Sequence, residues 1–569
     1  MPDVGLSRRE WLERVSVPAL GVPMGGALTA ASEAEQAAVP RGDALNGARV
    51  YNIRDFGAKG DGGTLDTAAV QAAIDRCNRD GGGTVLVPAG VFHIGTVELK
   101  SNVTLHLTAT GTLLGSADGK QYHAVDAIPL RGDSTLGDGN WALIFAVDAK
   151  NVTIEGRGLI DGQGIQFHSP TPGVPPPSGL GGNRRPYHLL FYRCEHLRVQ
   201  HVRLWRSAYH SVRVIQSKHV QMDGLHIYNR VNGNNDGFHF ISSEHVIVSN
   251  CTVQSQDDAC ALFGSCKFVT VTNCTFSTRW SVFRFGGGIA ENITVSNCLL
   301  YQVYGCPLKF HGSPGSRFEN MSFSNLVLQD VTGPISMSVG PSPRSDQAAV
   351  PSTPPPTADT APGIIRNISF SNIHGTVTTN PPQLPDYPFS SAYRPGELHS
   401  CIVLNAVGDS ILENITFDNV HLTFGGGGTA EEAARRDIPD IAGEYFVLGP
   451  MPAYGLYARR ARAVTLQNVR FQVSQPDLRP ALIFDHVEDA AINGLSLQGN
   501  PQAESVLRFI DCRQALLTAT RVLTPAATFL QLEGAANQGI IIDGGDLSKA
   551  AKTLALKDGA TEQAVKVRA

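Results

Sequence analysis

A short phrase of alternating residues recurs along most of this chain and constrains its fold more than any other feature. It reads Asn102-Val103-Thr104-Leu105, Asn151-Val152-Thr153-Ile154, His196-Leu197-Arg198-Val199 and His219-Val220-Gln221-Met222. It continues as His245-Val246-Ile247-Val248, Phe268-Val269-Thr270-Val271, Asn292-Ile293-Thr294-Val295 and Asn320-Met321-Ser322-Phe323, with later copies from Asn367, Asn414 and Val464. Between positions 196 and 320 the steps are 23, 26, 23, 24 and 28 residues. Short alternating strands at that period imply a stacked, quasi-one-dimensional core in which each repeat buries its apolar face against the next. No helical pattern lies between the strands, which argues against a leucine-rich repeat and for an all-β parallel β-helix.

Composition agrees. Only 17% of residues are charged and 59 are Gly, the balance of a strand-rich, turn-rich protein. A net charge of −5 and a pI of about 6.4 leave no basic face for nucleic acid. No apolar run approaches the length of a membrane span. Ser7-Arg8-Arg9-Glu10-Trp11-Leu12, followed by a mildly apolar run from Val15 to Ala31, resembles a twin-arginine export signal; the alternative is a disordered tail with a chance Arg pair. The expected plan is therefore an export signal and linker over 1–40, one coil over 41–545, and a loose helical or disordered tail over 546–569.

Near the start of the coil, Val70, Ala73, Ile74 and Cys77 repeat at helical spacing behind a cap at Asp66 or Thr67. Gly81-Gly82-Gly83 stops this helix, which is suited to plugging the open N-terminal end of a solenoid. Cys251, Cys274 and Cys298 close three successive phrases and are expected to stack as small buried side chains rather than to form disulfides or a metal site. The Asn-x-Thr/Ser triplets recur in phase with the repeat, so they read as Asn side chains stacked inside the coil, not as glycosylation acceptors. Four segments break the period: Ser169 to Arg185, Gly340 to Gly363, Thr376 to Ser400 and Phe424 to Gly449. Long interruptions in a repeat protein commonly wall a binding face.

Chemistry concentrates in two neighbouring repeats. Asn234-Asn235-Asp236-Gly237 and Gln256-Asp257-Asp258-Ala259 place three aspartates about one period apart. Carboxylates crowded on adjacent rungs shift one another's pKa, which makes an acid and a base from one residue type. Strand alternation sends Arg213, His239, Ala261, Arg284 and Lys309 outward on five successive rungs beside them. Any one such pair reads as a solvated ion-pair ladder. The whole constellation suits an anionic sugar held by cations, with carboxylates at the scissile bond of a glycoside.

These residues resemble glycoside hydrolase family 28, the polygalacturonases and rhamnogalacturonases, from about Val50 to about Val487. The likeness rests on Asp55-Phe56-Gly57-Ala58, on Asn234-Asn235-Asp236-Gly237 against the family's Asn-Thr-Asp, and on Asp257-Asp258. It implies a right-handed parallel β-helix and hydrolysis with inversion, Asp257 acting as general acid while Asp236 and Asp258 hold and deprotonate the water. Two departures point to a divergent subgroup. Arg279-Trp280-Ser281-Val282 stands where the family has Gly-His-Gly, and Pro307-Leu308-Lys309 stands for Arg-Ile-Lys. Arg284 and Arg279 are candidate replacements for the missing cation, and His210 or His239 for the missing imidazole. Trp280 reads either as a sugar-stacking platform or as a buried corner residue. The expected enzyme is a cofactor-free, metal-free monomer acting, by preference from chain ends, on acidic polysaccharide or oligosaccharide of the pectin type, containing galacturonic acid or rhamnose. Its rivals are a lyase in which Asp236, Asp257 and Asp258 ligate Ca²⁺ and Arg284 or Lys309 is the base, and a catalytically inactive carbohydrate-binding coil.

Overall fold

The computed structural model describes residues 49–128, 140–169, 174–182, 184–342, 361–384 and 393–568. The export signal and linker of residues 1–40 lie outside the described residues. Described strands pair in parallel into a 27-stranded and a 15-stranded sheet, the architecture of a parallel β-helix.

The recurring phrase builds the core. Leu197, Val220, Val246, Val269, Ile293, Met321, Ile368, Ile415 and Val464 are successive register partners on the long sheet, and all are buried. Each such side chain removed from water contributes roughly 1.5–3 kcal/mol, and the resulting apolar column joins one core cluster that runs from Tyr51 to Ala564. The residue that opens the phrase turns the corner with positive φ, as at Asn292 (60°), Asn320 (57°), Asn367 (57°) and Asn414 (53°). Asn tolerates that left-handed conformation better than other side chains. The amides also form a ladder, Asn320 donating to Asn292 at 3.4 Å, Asn367 to Asn320 at 3.1 Å and Asn414 to Asn367 at 2.8 Å. The asparagines stack as expected, but on the exposed corner rather than inside the coil. The same corner carries a stack of His196, His219, His245 and Phe268, with ring centroids 4.9–5.0 Å apart.

The helix Thr67–Arg79 buries Val70, Ala73, Ile74 and Cys77, as its spacing requires. Asp66 holds the N-cap position without capping the helix; its carboxylate instead accepts from the amides of Lys59 at 2.7 Å and Gly60 at 3.0 Å. All ten cysteines are free and buried. The expected loose tail is corrected: Ala550–Lys557 and Val565–Arg568 are strands in register with Ala526–Glu533 and Gln538–Asp546. Its alternating residues simply add further rungs.

The short sheet positions the chemistry. Arg213, His239, Ala261, Arg284 and Lys309 are consecutive register partners, as alternation predicts. Solvent does not reach most of them, because the outer face of this sheet is covered on both sides of that column. Before it lies an apolar cluster that includes Tyr187, Leu190, Tyr209, Ile215 and Ile241. After it lies a second, in which Ile438, Tyr445 and Leu448 from the period-breaking segment Phe424 to Gly449 cover Cys306, Cys401 and Val403.

That segment is fastened by buried arginines. Arg459 donates to the carbonyls of Ile438 at 2.9 Å and Pro439 at 2.8 Å. Arg508 donates to Ala433 O at 2.9 Å. Asp477 accepts from Gly428 N at 3.0 Å, and its partner Arg479, 2.8 Å away, donates to His399 O of the segment Thr376 to Ser400 at 2.7 Å.

Candidate active site

Each aspartate is set by a bend that its own sequence locks. Asn235, fully buried, accepts from the amides of Val231 (3.0 Å) and Asn232 (2.7 Å) and donates to the carbonyls of Ser207 (3.1 Å) and Tyr209 (2.7 Å). The turn before Asp236 is thus tied to the previous rung. Gly237 follows because a β-carbon there would lie 2.5 Å from Ala259 O and 2.6 Å from Val253 Cγ1. One rung on, Ser255 Oγ donates to Asp257 O at 2.8 Å, and Asp257 Oδ1 accepts the amide of Asp258 at 2.9 Å. The two bends are joined by Asn234 Nδ2, which donates to Asp257 Oδ2 at 3.3 Å.

Asp236 and Asp258 are buried and Asp257 is partly exposed. Burial, then the negative charge of Asp258, pushes Asp257 up to about 6, the range of a carboxyl that donates a proton near neutral pH. Burial, then the charges of Asp257 and Asp258, pushes Asp236 well above the carboxylate range. Its partner is His239, whose Nδ1 lies 2.7 Å from Asp236 Oδ2. His210 stacks on His239 with ring centroids 4.6 Å apart and puts Nδ1 3.6 Å from the same oxygen. Burial, then the neighbouring His239 and arginines for His210 and the arginines for His239, holds both imidazoles well below their usual range.

Among the described residues, His210, Asp236 and His239 form a group with potential ligand atoms within 4.8 Å of one another. Two imidazole nitrogens and one carboxylate do not make the oxygen cage Ca²⁺ prefers. Arg213, 3.3 Å from His210 Nδ1, opposes a cation there. Of the three aspartates expected as calcium ligands in the lyase reading, only Asp236 belongs to this group, and it is paired with His239 at 2.7 Å.

The expected outward column is corrected in its exposure. Arg213 is fully buried, donating to Tyr187 OH at 3.0 Å beneath the histidines. His210 and His239 are buried with it. Arg279 is buried against Glu397 at 3.9 Å and the Tyr393 ring at 4.2 Å. Lys309 is buried, with Nζ 3.3 Å from Glu444 and 4.5 Å from the Trp280 ring centre. Trp280 is partly exposed, and the Arg284 side chain keeps 21% of its surface in solvent. Arg284 lies 3.6 Å from Asp258 and 3.7 Å from Glu444. Burial opposes its charge, but the surrounding carboxylates hold it firmly protonated.

Glu444, Glu397, Tyr393 and Phe446 were not legible as site residues. They come from the segments that break the repeat, where no register assigns a position.

The space around the aspartates is asymmetric. A cavity of about 470 Å³ opens beside Asn232 and Asn234, lined by Phe167, His168 and Arg185. On the Trp280 and Lys309 rungs, Trp280, Lys309, Glu444 and Phe446 pack around a space of about 10 Å³.

Comparison with known proteins agrees with this arrangement. Residues 77–384 match the profile of Glycosyl hydrolases family 28. The chain is 27% identical over 344 residues to an exo-poly-alpha-D-galacturonosidase of Dickeya chrysanthemi, covering 50% of this chain and 56% of that protein. It is 26% identical over 342 residues to an exopolygalacturonase of Platanus acerifolia, covering 58% of this chain and 83% of that one. The chain thus spans little more than half the length of the first relative. In structure it resembles the family 28 exopolygalacturonase of Yersinia enterocolitica, with a TM-score of 0.58 at 19% identity over 79% of each chain, a likeness of fold. With more than half of its residues under the family profile, and the paired aspartate bends inside that span, this chain is a member of glycosyl hydrolases family 28.

Proposed function

We propose that this protein is a glycosidase that cleaves α-glycosidic bonds in pectin-type polysaccharide or oligosaccharide from a chain end. The observation that carries this reading is the asymmetry about the aspartates: carboxylates on adjacent rungs, a sugar-sized cavity to one side and a packed wall to the other. A groove filled at one end accepts a chain terminus better than a chain interior. The exo-acting names of the two relatives support the same choice.

Asp257 is the acid. Raised to about 6, it protonates the leaving oxygen as the glycosidic bond breaks. Asp258 and Asp236 hold the water that attacks the anomeric carbon from the opposite face. Its proton passes to the carboxylate that is ionised, and His239 holds the Asp236 side chain in place at 2.7 Å. Arg284 steadies the negative charge left on this patch once Asp257 has given up its proton.

The test is incubation of the full-length protein with a panel of pectic oligosaccharides, with and without chelator, alongside Asp257→Asn. Saturated products released one terminal unit at a time in chelator, and lost in the variant, are expected. Unsaturated products that vanish with chelator would overturn hydrolysis, and random mid-chain cleavage would overturn the exo reading.

A further inference from the structure

The cation column points to an acidic sugar, yet the cations at its Arg284 and Lys309 end are already neutralised from within. Glu444 precedes the short helix Tyr445–Leu448 and reaches across 135 residues of sequence to Lys309. Its two oxygens are divided between Lys309 Nζ (3.3 Å) and Arg284 Nη2 (3.7 Å). Arg284 Nη1 meets Asp258 at 3.6 Å, and Arg279 Nη1 meets Glu397 at 3.9 Å. Each of these three cations therefore faces a carboxylate of the protein itself. Arg394 is exposed at the rim, its guanidinium 3.9 Å from the Phe446 ring centre.

We propose that Glu444 determines specificity, so that the sugar resting on the solvent-accessible faces of Arg284 and Trp280, in front of the packed wall, is uncharged. This rests on the glycosidase reading above and deepens it. A uronate carboxylate brought to Arg284 would lie beside both Asp258 and Glu444, and like charges placed together in a site repel. Glu444 cannot swing aside cheaply. The next residue, Tyr445, is buried with its hydroxyl within hydrogen-bond distance of Cys401 O (2.7 Å) and Ile335 O (3.0 Å). Arg435 further ties the segment by donating to Leu448 O at 3.3 Å. A neutral sugar has no such conflict: its hydroxyls can donate to the carboxylate oxygens, and its apolar face can rest on Trp280.

The experiment compares two oligosaccharides of identical linkage and length, one ending in a uronate unit and the other in the same unit with its carboxyl reduced to hydroxymethyl. The readout is the ratio of kcat/KM, neutral over acidic. Wild type should favour the neutral substrate by about tenfold or more, and Glu444→Gln should lower that ratio by about tenfold, since it releases Arg284 and Lys309 for an external carboxylate. Lys309→Met answers the same question with the opposite sign if Glu444→Gln does not fold, because it leaves Glu444 less compensated and should raise the ratio. A wild type that prefers the uronate, or a ratio unmoved by either variant, overturns this proposal alone. No cleavage of either substrate by wild type overturns the glycosidase reading and this proposal with it.

Discussion

The two sheets carry polar ladders built by the same repeat and the same register, with opposite consequences. On the long sheet, Lys150, Glu195, Lys218, Glu244, Lys267 and Glu291 stand on successive rungs, paired at 2.8–3.1 Å, and the asparagine ladder runs along an exposed corner. On the short sheet, Arg213, His239, Arg284 and Lys309 occupy equally regular positions but lie wholly or largely under cover. Solvated pairs are worth about 0–1 kcal/mol each. Covered charges shift one another's protonation and bind or repel what enters. The repeat places charges on both sheets, and the side chains packed over them decide which are shielded from water.

The largest effect expected is at Asp257, the proposed acid. Asp257→Asn should reduce kcat about 10²–10⁴-fold with the fold intact, measured by initial rates and circular dichroism; retained activity would move the acid elsewhere. Next is the fastening of the cover. Arg479→Met leaves Asp477 buried without its partner at 2.8 Å, which should cost about 3–5 kcal/mol in denaturant unfolding. A cost below about 1 kcal/mol would show that the wall does not depend on this pair.

Third is pH. Asp257 is raised by burial and then by Asp258. Activity that needs protonated Asp257 is therefore present below about pH 6 and lost as pH rises through that value. Asp258→Asn removes a negative neighbour and should move the alkaline limb of residual kcat/KM to lower pH; a limb that stays or rises would break the assignment. Smallest is the exposed ladder. Lys218→Met, which deletes the 3.1 Å pair with Glu244, should change unfolding free energy by less than about 1 kcal/mol and leave kcat/KM unchanged. A large effect there would erase the contrast between the sheets.

Much of this was legible beforehand. The column from Leu197 to Val464 follows from period-two alternation repeated at near-constant steps, since each rung can bury that face only against the next. The same alternation placed Arg213, His239, Ala261, Arg284 and Lys309 in one register. Exposure was not legible. Arg213 and Lys309 point out of the coil yet lie under other side chains, and the asparagine ladder faces solvent. The tail after Asp546 reads as a loose helix because its Ala- and Lys-containing strands lie outside the recognisable phrase.

The sequence by itself determined the coil, its register and the three aspartates on neighbouring rungs, because these follow from local alternation and a constant repeat. Only the tertiary structure decided what covers them. Glu444, Glu397 and Tyr445 lie in segments without period, and their approach to Lys309, Arg279 and Cys401 depends on how a long loop folds back over the sheet. Charge–charge energies depend on distance and on exclusion of water. Neither quantity is written in the order of residues.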